Sequence, residues 1–479
     1  MSDKNKLLKT RIKKLNDSEN SNGKCVIYVM SRDQRLQDNH ALIAAQKHAI
    51  AKELPFAVVF CLYDKVAGRA REQYQFMIEG LYDVESRLNK VNIPFMMLFG
   101  DPEEKIGNVI HHTDPDAIYF DFSPLNGPKK LRDTLSSTYA VPMYVVDTHN
   151  MIPVWVVSDK KEVGARTIRN KIHRNFSEYL EVPEDVVSHQ IAWPGSIKSM
   201  SDLTSQIAEV LDKQKNNGSI LNFEPGEKAA LNHLDSFVQN NLEDYSESRN
   251  DPSDNALSGM SPYLHFGHIS SLRVAIKMRQ VANGTGADLH LIHSGKMPQA
   301  EEAASKKVGS ANALLEEMIV RKELSDNFCY YENDHKSVSS ADDWAKKTID
   351  AHDNDPREHI YSYEELEAAN THDSAWNAAQ KQMMRTGKMH GYMRMYWAKK
   401  IKEWTGDAKT AVSFAIRLND FYSIDGGDPN GYVGILWSII GVHDRAWTER
   451  EVFGKVRYMN YGGLKRKFNI EAYEKQWND

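Results

Sequence analysis

The chain has only three cysteines in 479 residues, Cys25, Cys61 and Cys329, and none forms a CxxC pair. That argues against a disulfide frame, a zinc site and an iron–sulfur cluster. No apolar run approaches the roughly 18 residues needed to span a bilayer. The N-terminal stretch MSDKNKLLKTRIKKLNDSENSNGK is basic but lacks an apolar h-region, so it does not read as a secretory signal. Residues 1–23 are expected as a flexible basic tail. GxGxxG and GxxxxGK[ST] are both missing, which sets aside the common dinucleotide and P-loop sites. A net charge of −6 does not advertise a nucleic-acid binder. The charge is uneven, though: the tail and Lys455–Lys467 are basic, and 299–303 and 364–367 are acidic. There is no internal repeat and no sustained heptad pattern.

What remains is a soluble, globular composition, 41% hydrophobic and 10% aromatic, long enough for two domains. The runs 25–30, 55–62, 94–99, 117–121 and 142–147 read as buried strands, with helical stretches at 39–52, 71–90, 102–113 and 127–139 between them. That alternation predicts βαβ units and a parallel sheet over residues 24–150. Such sheets bind ligands at the carboxyl ends of their strands. Ser31, Arg32 and Asp33 follow the first strand and stand as either ligand or domain-interface residues. Residues 151–230 read as a connector anchored by Trp155 and Trp193. From 231 to 479 the pattern is helical, interrupted by a loop within 283–310. The fold class is therefore an α/β Rossmann-like domain plus an all-α domain.

The densest stretch is 385–460, which holds Trp397, Trp404, Trp437 and Trp447, four of nine tryptophans. Met389, Tyr392, Met393, Tyr396 and Trp397 recur at helical spacing. Trp397 and Trp404 are seven apart, about 10.5 Å along one helix face. An aromatic-rich core explains any single tryptophan. It does not explain Arg394, Asn419, Asp425, Asp428, His443 and Asp444 among them, because buried polar groups pair or hold a ligand. Elsewhere, LSGMS (257–261) sets small residues and hydroxyls before a helix, an ordinary cap that also suits phosphate. DGGDPNG (425–431) on its own passes as a turn.

Several of these segments carry a resemblance. GVHDRAWTEREVFGKVRYMN (441–460) resembles the signature of class II cyclobutane pyrimidine dimer photolyases. LLEEMIVRKELSDNF (314–328) resembles that family's second signature, with Lys322 where arginine is often seen. MSRDQRLQDNHAL (30–42), DTHNMIPVW (147–155) and LSGMSPYLHFGHIS (257–270) also match, in the expected order, so the likeness runs from about residue 24 onward.

The resemblance implies light-driven repair of pyrimidine dimers in DNA, by electron transfer from excited reduced FAD to a flipped-out dimer. It assigns the cofactor to Tyr245, Leu257, Ser258, Gly259, Met260, Ser261, Lys322, Arg394, Asn419, Asp425, Asp428 and Asn430. Arg394 with Asp425 would form a charge pair beside the flavin, with Asp444 as a second candidate partner. Asn419 would face the flavin N5. Trp397, Trp376 and Trp404 match the relay that re-reduces the flavin, in that order outward, with Trp404 the most exposed. Glu317, Met395, Trp437 and Trp447 match the dimer contacts, Glu317 bonding the dimer itself. Arg249, Lys455 and Arg457 join them as DNA-binding candidates. Arg321 stands where some relatives place a tryptophan, so it either stacks on the dimer as a planar cation or the contact is lost. The α/β domain would be an antenna domain, with a pigment of deazaflavin or folate type. A monomer acting on UV-damaged DNA is expected, without membrane or metal. Its place would be the cytoplasm of a prokaryote, or the nucleus or an organelle of a eukaryote. A cryptochrome-like photoreceptor is the alternative; it needs the flavin and relay residues but not Glu317, Trp437 and Trp447.

Overall fold

Strands that are apolar on both faces need cover on both sides, and the α/β half supplies it. The computed structural model describes residues 3–19, 22–254, 256–284 and 305–479. Six strands form one sheet: β1 (Ile12–Lys14), β2 (Cys25–Met30), β3 (Phe56–Leu62), β4 (Phe95–Phe99), β5 (Pro115–Asp121) and β6 (Met143–Val146). Their order is β1-β6-β5-β2-β3-β4, all parallel except the β1–β6 pair. Every residue of the central strands β2 and β5 is buried. Helices His40–Lys52, Arg71–Lys90, Pro102–Thr113 and Asn126–Thr138 alternate with the strands, as the spacing predicts.

The expected basic tail is instead part of this domain. Asp3–Thr10 is helical and β1 extends the sheet by pairing with β6. Composition misled here because one arginine is structural. Arg11 is 2% exposed, and its guanidinium donates to the carbonyls of Asp147, Asn150 and Met151.

Strand order reverses between β2 and β5, where a crevice would ordinarily receive a ligand. Here the chain fills it. The Asp121 carboxylate accepts the backbone N–H groups of Ser31, Arg32 and Asp33 at 2.7, 3.0 and 3.0 Å. Arg32 then reaches Asp326 at 3.0 Å, and Asp33 pairs with Arg35. Arg32 and Asp33 are thus interface residues, while Ser31 is exposed and bonds within its own domain. Gly267 has φ +69°, and a Cβ there would lie 2.4 Å from the Arg32 carbonyl oxygen. Only glycine lets the two backbones meet so closely.

No strand follows Glu227 among the described residues; the chain is helical from there. Within the expected connector, the helix Ala165–Tyr179 sinks Ile168, Ile172 and Phe176 into the helical half's core. Trp155 packs on Phe122 and Tyr330 and so touches both halves. Trp193 packs against the sheet's own core. Of the loop expected within 283–310, residues 285–304 lie outside the described residues, and Lys306–Leu315 is a helix. No helix among the described residues is long and apolar enough to cross a membrane.

Candidate active site

Three local structures build the polar centre. His390 caps the helix Gly391–Glu403 by accepting from Tyr392 N–H. Asp428 caps Pro429–Ile440 by accepting from Asn430 N–H at 2.9 Å. The short helix Ser261–His265 brings up LSGMS. Between the first two caps lie Arg394, Asn419 and the 423–428 loop. Arg394 donates to Asn419 Oδ1 and, at 2.8 Å, to Ser423 Oγ. Ser423 Oγ donates to Asp425 at 2.7 Å.

Arg394 and Asp425 are together, but at 3.8 Å; the closer partner of Asp425 is Lys388, at 2.7 Å. Lys388 also bonds Ser261 Oγ and so ties LSGMS to the acidic loop. Burial alone would raise the Asp425 carboxyl, but the charges of Lys388 and Arg394 outweigh it and hold the group far below its ordinary range. The sequence pattern missed Lys388 because RTGKMHG reads as a helix end. Asp428 accepts from His265 Nδ1 at 2.9 Å. Arg69 lies 3.2 Å from His265 Nε2 and can only donate, so the imidazole is neutral with its proton on Nδ1. Burial pulls its pKa down in agreement.

The remaining cofactor candidates divide. Tyr245 is buried on Phe237 and beneath the Arg249 guanidinium, 5.7 Å from its ring centre. Gly259 has φ +64° and sits against His233, whose Nε2 lies 2.9 Å from the Ser258 carbonyl oxygen. Met260 is buried, Leu257 is exposed, and Asn430 accepts from Ser325. Lys322 departs from expectation. It lies in the domain interface, within 3.6 Å of His149 O, Asn150 Oδ1 and Asp326. Asp444 departs as well: Arg457, at 3.2 Å, is its partner, not Arg394.

Glu317 sits where the helix widens to an i→i+5 turn over Glu316–Arg321. Such bulges re-aim neighbouring side chains. Glu316 turns inward to Arg169, while Glu317 turns out to Arg249 at 2.7 Å. Arg321 is half exposed and held by Glu316 at 3.2 Å. Tyr245, Arg249 and Glu317 thus form one chain of contacts. Met395 is half-buried on the helix Gly391–Glu403.

The tryptophans fall into two groups. Trp376 stands between Trp397 (centroids 6.4 Å, planes 7° apart) and Trp404 (5.7 Å, edge-on). It is therefore the middle ring. Trp397 donates its indole N–H to Gln380 at 2.9 Å, and Trp376 to the Trp397 carbonyl at 3.0 Å. The expected exposure of Trp404 is not found: it is 2% exposed, with His372 and Tyr361 packed over it. The second group is open. Trp447 is 38% exposed and Trp437 half-buried, with the Arg457 guanidinium 4.3 Å from the first ring and 5.3 Å from the second. Lys399 Nζ lies 4.6 Å over Trp437. A groove of about 340 Å³ opens beside Trp447, lined by Tyr392, Arg450, Tyr458, Arg466 and Lys467. Lys455 is half exposed, 3.9 Å from Glu449.

Comparison with known proteins identifies the family. The DNA photolyase family model matches residues 26–188. A deoxyribodipyrimidine photo-lyase of Arabidopsis thaliana is 43% identical over 456 residues, 94% of this chain and 88% of its own. One from Methanothermobacter thermautotrophicus is 39% identical over 464 residues, 97% of each chain. Among solved structures, a Synechocystis cryptochrome superposes with TM-score 0.71 at 14% identity, over 96% of this chain and 89% of that one. A class III photolyase of Agrobacterium tumefaciens gives 0.67 at 18%, over 96% and 88%. These two show the fold. At this level of identity over nearly the whole chain, the protein belongs to the DNA photolyase family.

Proposed function

We propose that the protein is a deoxyribodipyrimidine photolyase that uses FAD and light to split cyclobutane pyrimidine dimers in DNA. The residues present fit the cofactor. Lys388 and Arg394 set two cations against the single carboxylate of Asp425, leaving positive charge for an anionic group. Ser258 and Ser261 add hydroxyls in the same region, and Asn419 offers a neutral amide. When bound, reduced FAD supplies the electron that light drives into the cyclobutane ring, and takes it back after the ring opens.

The chain's own part is binding, orientation and exclusion of water. A dimer must leave the duplex stack to be reached, which costs least for a damaged, poorly stacked site. Trp437 and Trp447 offer faces to receive the extruded bases. Arg457 and the cations of the groove take backbone phosphates. Glu317 presents a carboxylate to the base edges, positioned by Arg249. The sealed stack of Trp397, Trp376 and Trp404 serves a separate task, supplying electrons to restore the reduced cofactor.

The observation that carries this reading is the open, cation-faced Trp437–Trp447 pair, in a fold whose relay tryptophans lie elsewhere. A photoreceptor has no need of that second group. The test is loss of a single thymine dimer from an oligonucleotide by fully reduced protein, with a dark control. Light-only repair, weakened in Glu317→Ala and Trp447→Ala, is the expected result. Bound reduced FAD without repair would overturn the proposal.

A further inference from the structure

Trp447 stands on a hairpin whose Val452, Phe453 and Val456 are buried while Trp447 itself is exposed. Its N–H donates to the Lys455 carbonyl at 2.9 Å, and Arg450 pairs with Gly454 across the turn. The hairpin rests on the helix Asp343–His352. Lys455 N–H donates to Thr348 Oγ1 at 2.9 Å. Gly454, at φ +53°, lies so close that a Cβ would sit 2.9 Å from His352 Cδ2.

His352 faces a carboxylate on each ring nitrogen: Asp355 at 2.6 Å from Nδ1 and Glu449 at 3.0 Å from Nε2. Asp355 in turn accepts Val452 N–H at 2.8 Å. A neutral imidazole has one N–H, so one of the two contacts would set acceptor against acceptor. The imidazolium donates to both. We infer that His352 is a positioning residue, which as a doubly donating cation ties the Trp447 hairpin, through Glu449 and Asp355, to the Asp343–His352 helix. This rests on the reading of Trp447 as a lesion contact.

The other charges facing the site are Lys455, 3.9 Å from Glu449, and Arg357, which donates to the His352 carbonyl at 3.3 Å. His352 also closes its helix, where the end dipole favours a cation. The bonds to Glu449 and then Asp355 raise the imidazole above its ordinary value. A raised value means the tie is complete at low pH and is lost as pH rises through that value.

The experiment compares wild-type holoprotein with His352→Gln, using a dimer-containing and an undamaged duplex from pH 6 to 9 at fixed ionic strength. Hydrogen exchange of residues 447–456 is followed alongside, without DNA and corrected for intrinsic rate. Wild-type affinity for the dimer duplex should fall as pH rises through the titration of His352, and hairpin protection should fall with it. His352→Gln should be weak and loosely protected throughout, without the step. Glu449→Gln, which alters only an exposed partner, should move the midpoint to lower pH. A wild-type pH course retained in His352→Gln would overturn the inference. So would hairpin protection that follows His352 while dimer affinity does not. Absence of any dimer preference in wild type would remove the lesion reading itself, and hydrogen exchange would still show whether the tie exists.

Discussion

Two groups of tryptophans, built from one residue type, sit in opposite surroundings. Trp376, Trp397 and Trp404 are 0%, 1% and 2% exposed, and the first two bond their N–H groups to interior acceptors. Trp437 and Trp447 meet solvent and lie under Lys399 and Arg457. A cation over an indole makes electron loss harder, while a dry, closely spaced stack makes hopping easy. Lys400 does approach Trp404, at 5.6 Å, but its charge is paired with Glu403 at 2.7 Å. Under the proposed function, the difference separates electron supply from lesion binding within one helical domain.

The separation can be broken in stages. Trp397→Phe should show the largest effect, reducing photoreduction of the oxidised flavin to a small fraction of wild type while dimer affinity stays unchanged. Transient absorption and a binding isotherm check both halves. Trp447→Ala should do the reverse, leaving photoreduction intact and weakening dimer-DNA binding about 10- to 100-fold, from roughly 1–3 kcal/mol per stacked base.

A third effect, on stability alone, concerns Lys399, which is fully buried and donates to the Ser438 carbonyl at 3.0 Å. Burial pulls it down to about 7, against the opposing charge of Asp444. An unfolded lysine titrates at about 10.4. Between those values the unfolded chain binds the extra proton, so wild-type stability rises with pH. Lys399→Met should therefore gain on the order of 2 kcal/mol near pH 7, with the advantage shrinking toward pH 10. Thermal melts at several pH values read this directly.

Much of this was legible in the sequence, and the exceptions share a cause. All five long strands and the four helices between them follow from apolar runs and their spacing. Trp397 and Trp404 were visible as an i, i+7 pair; the family resemblance set Trp376 between them, and its ring does lie between theirs. Arg11, Lys322 and Lys388 were misread or missed. Each is a cation with partners far away in sequence, backbone carbonyls or side chains, which no local pattern encodes; Lys322 adds only one local partner, Asp326 at i+4. Asp444 was a second candidate partner for Arg394, and it pairs instead with Arg457, nearer in sequence. The widened turn at Glu316–Arg321, which sends Glu317 outward, leaves no mark in a period-3.6 pattern.

The central claim is that the sealed stack restores the cofactor and takes no part in opening the dimer. The most direct measurement is single-turnover, light-driven repair of one thymine dimer by Trp397→Phe protein reduced chemically beforehand. The account predicts a wild-type repair yield from a variant that cannot photoreduce its own flavin. Loss of repair in that variant, with FAD content and dimer affinity unchanged, would contradict it.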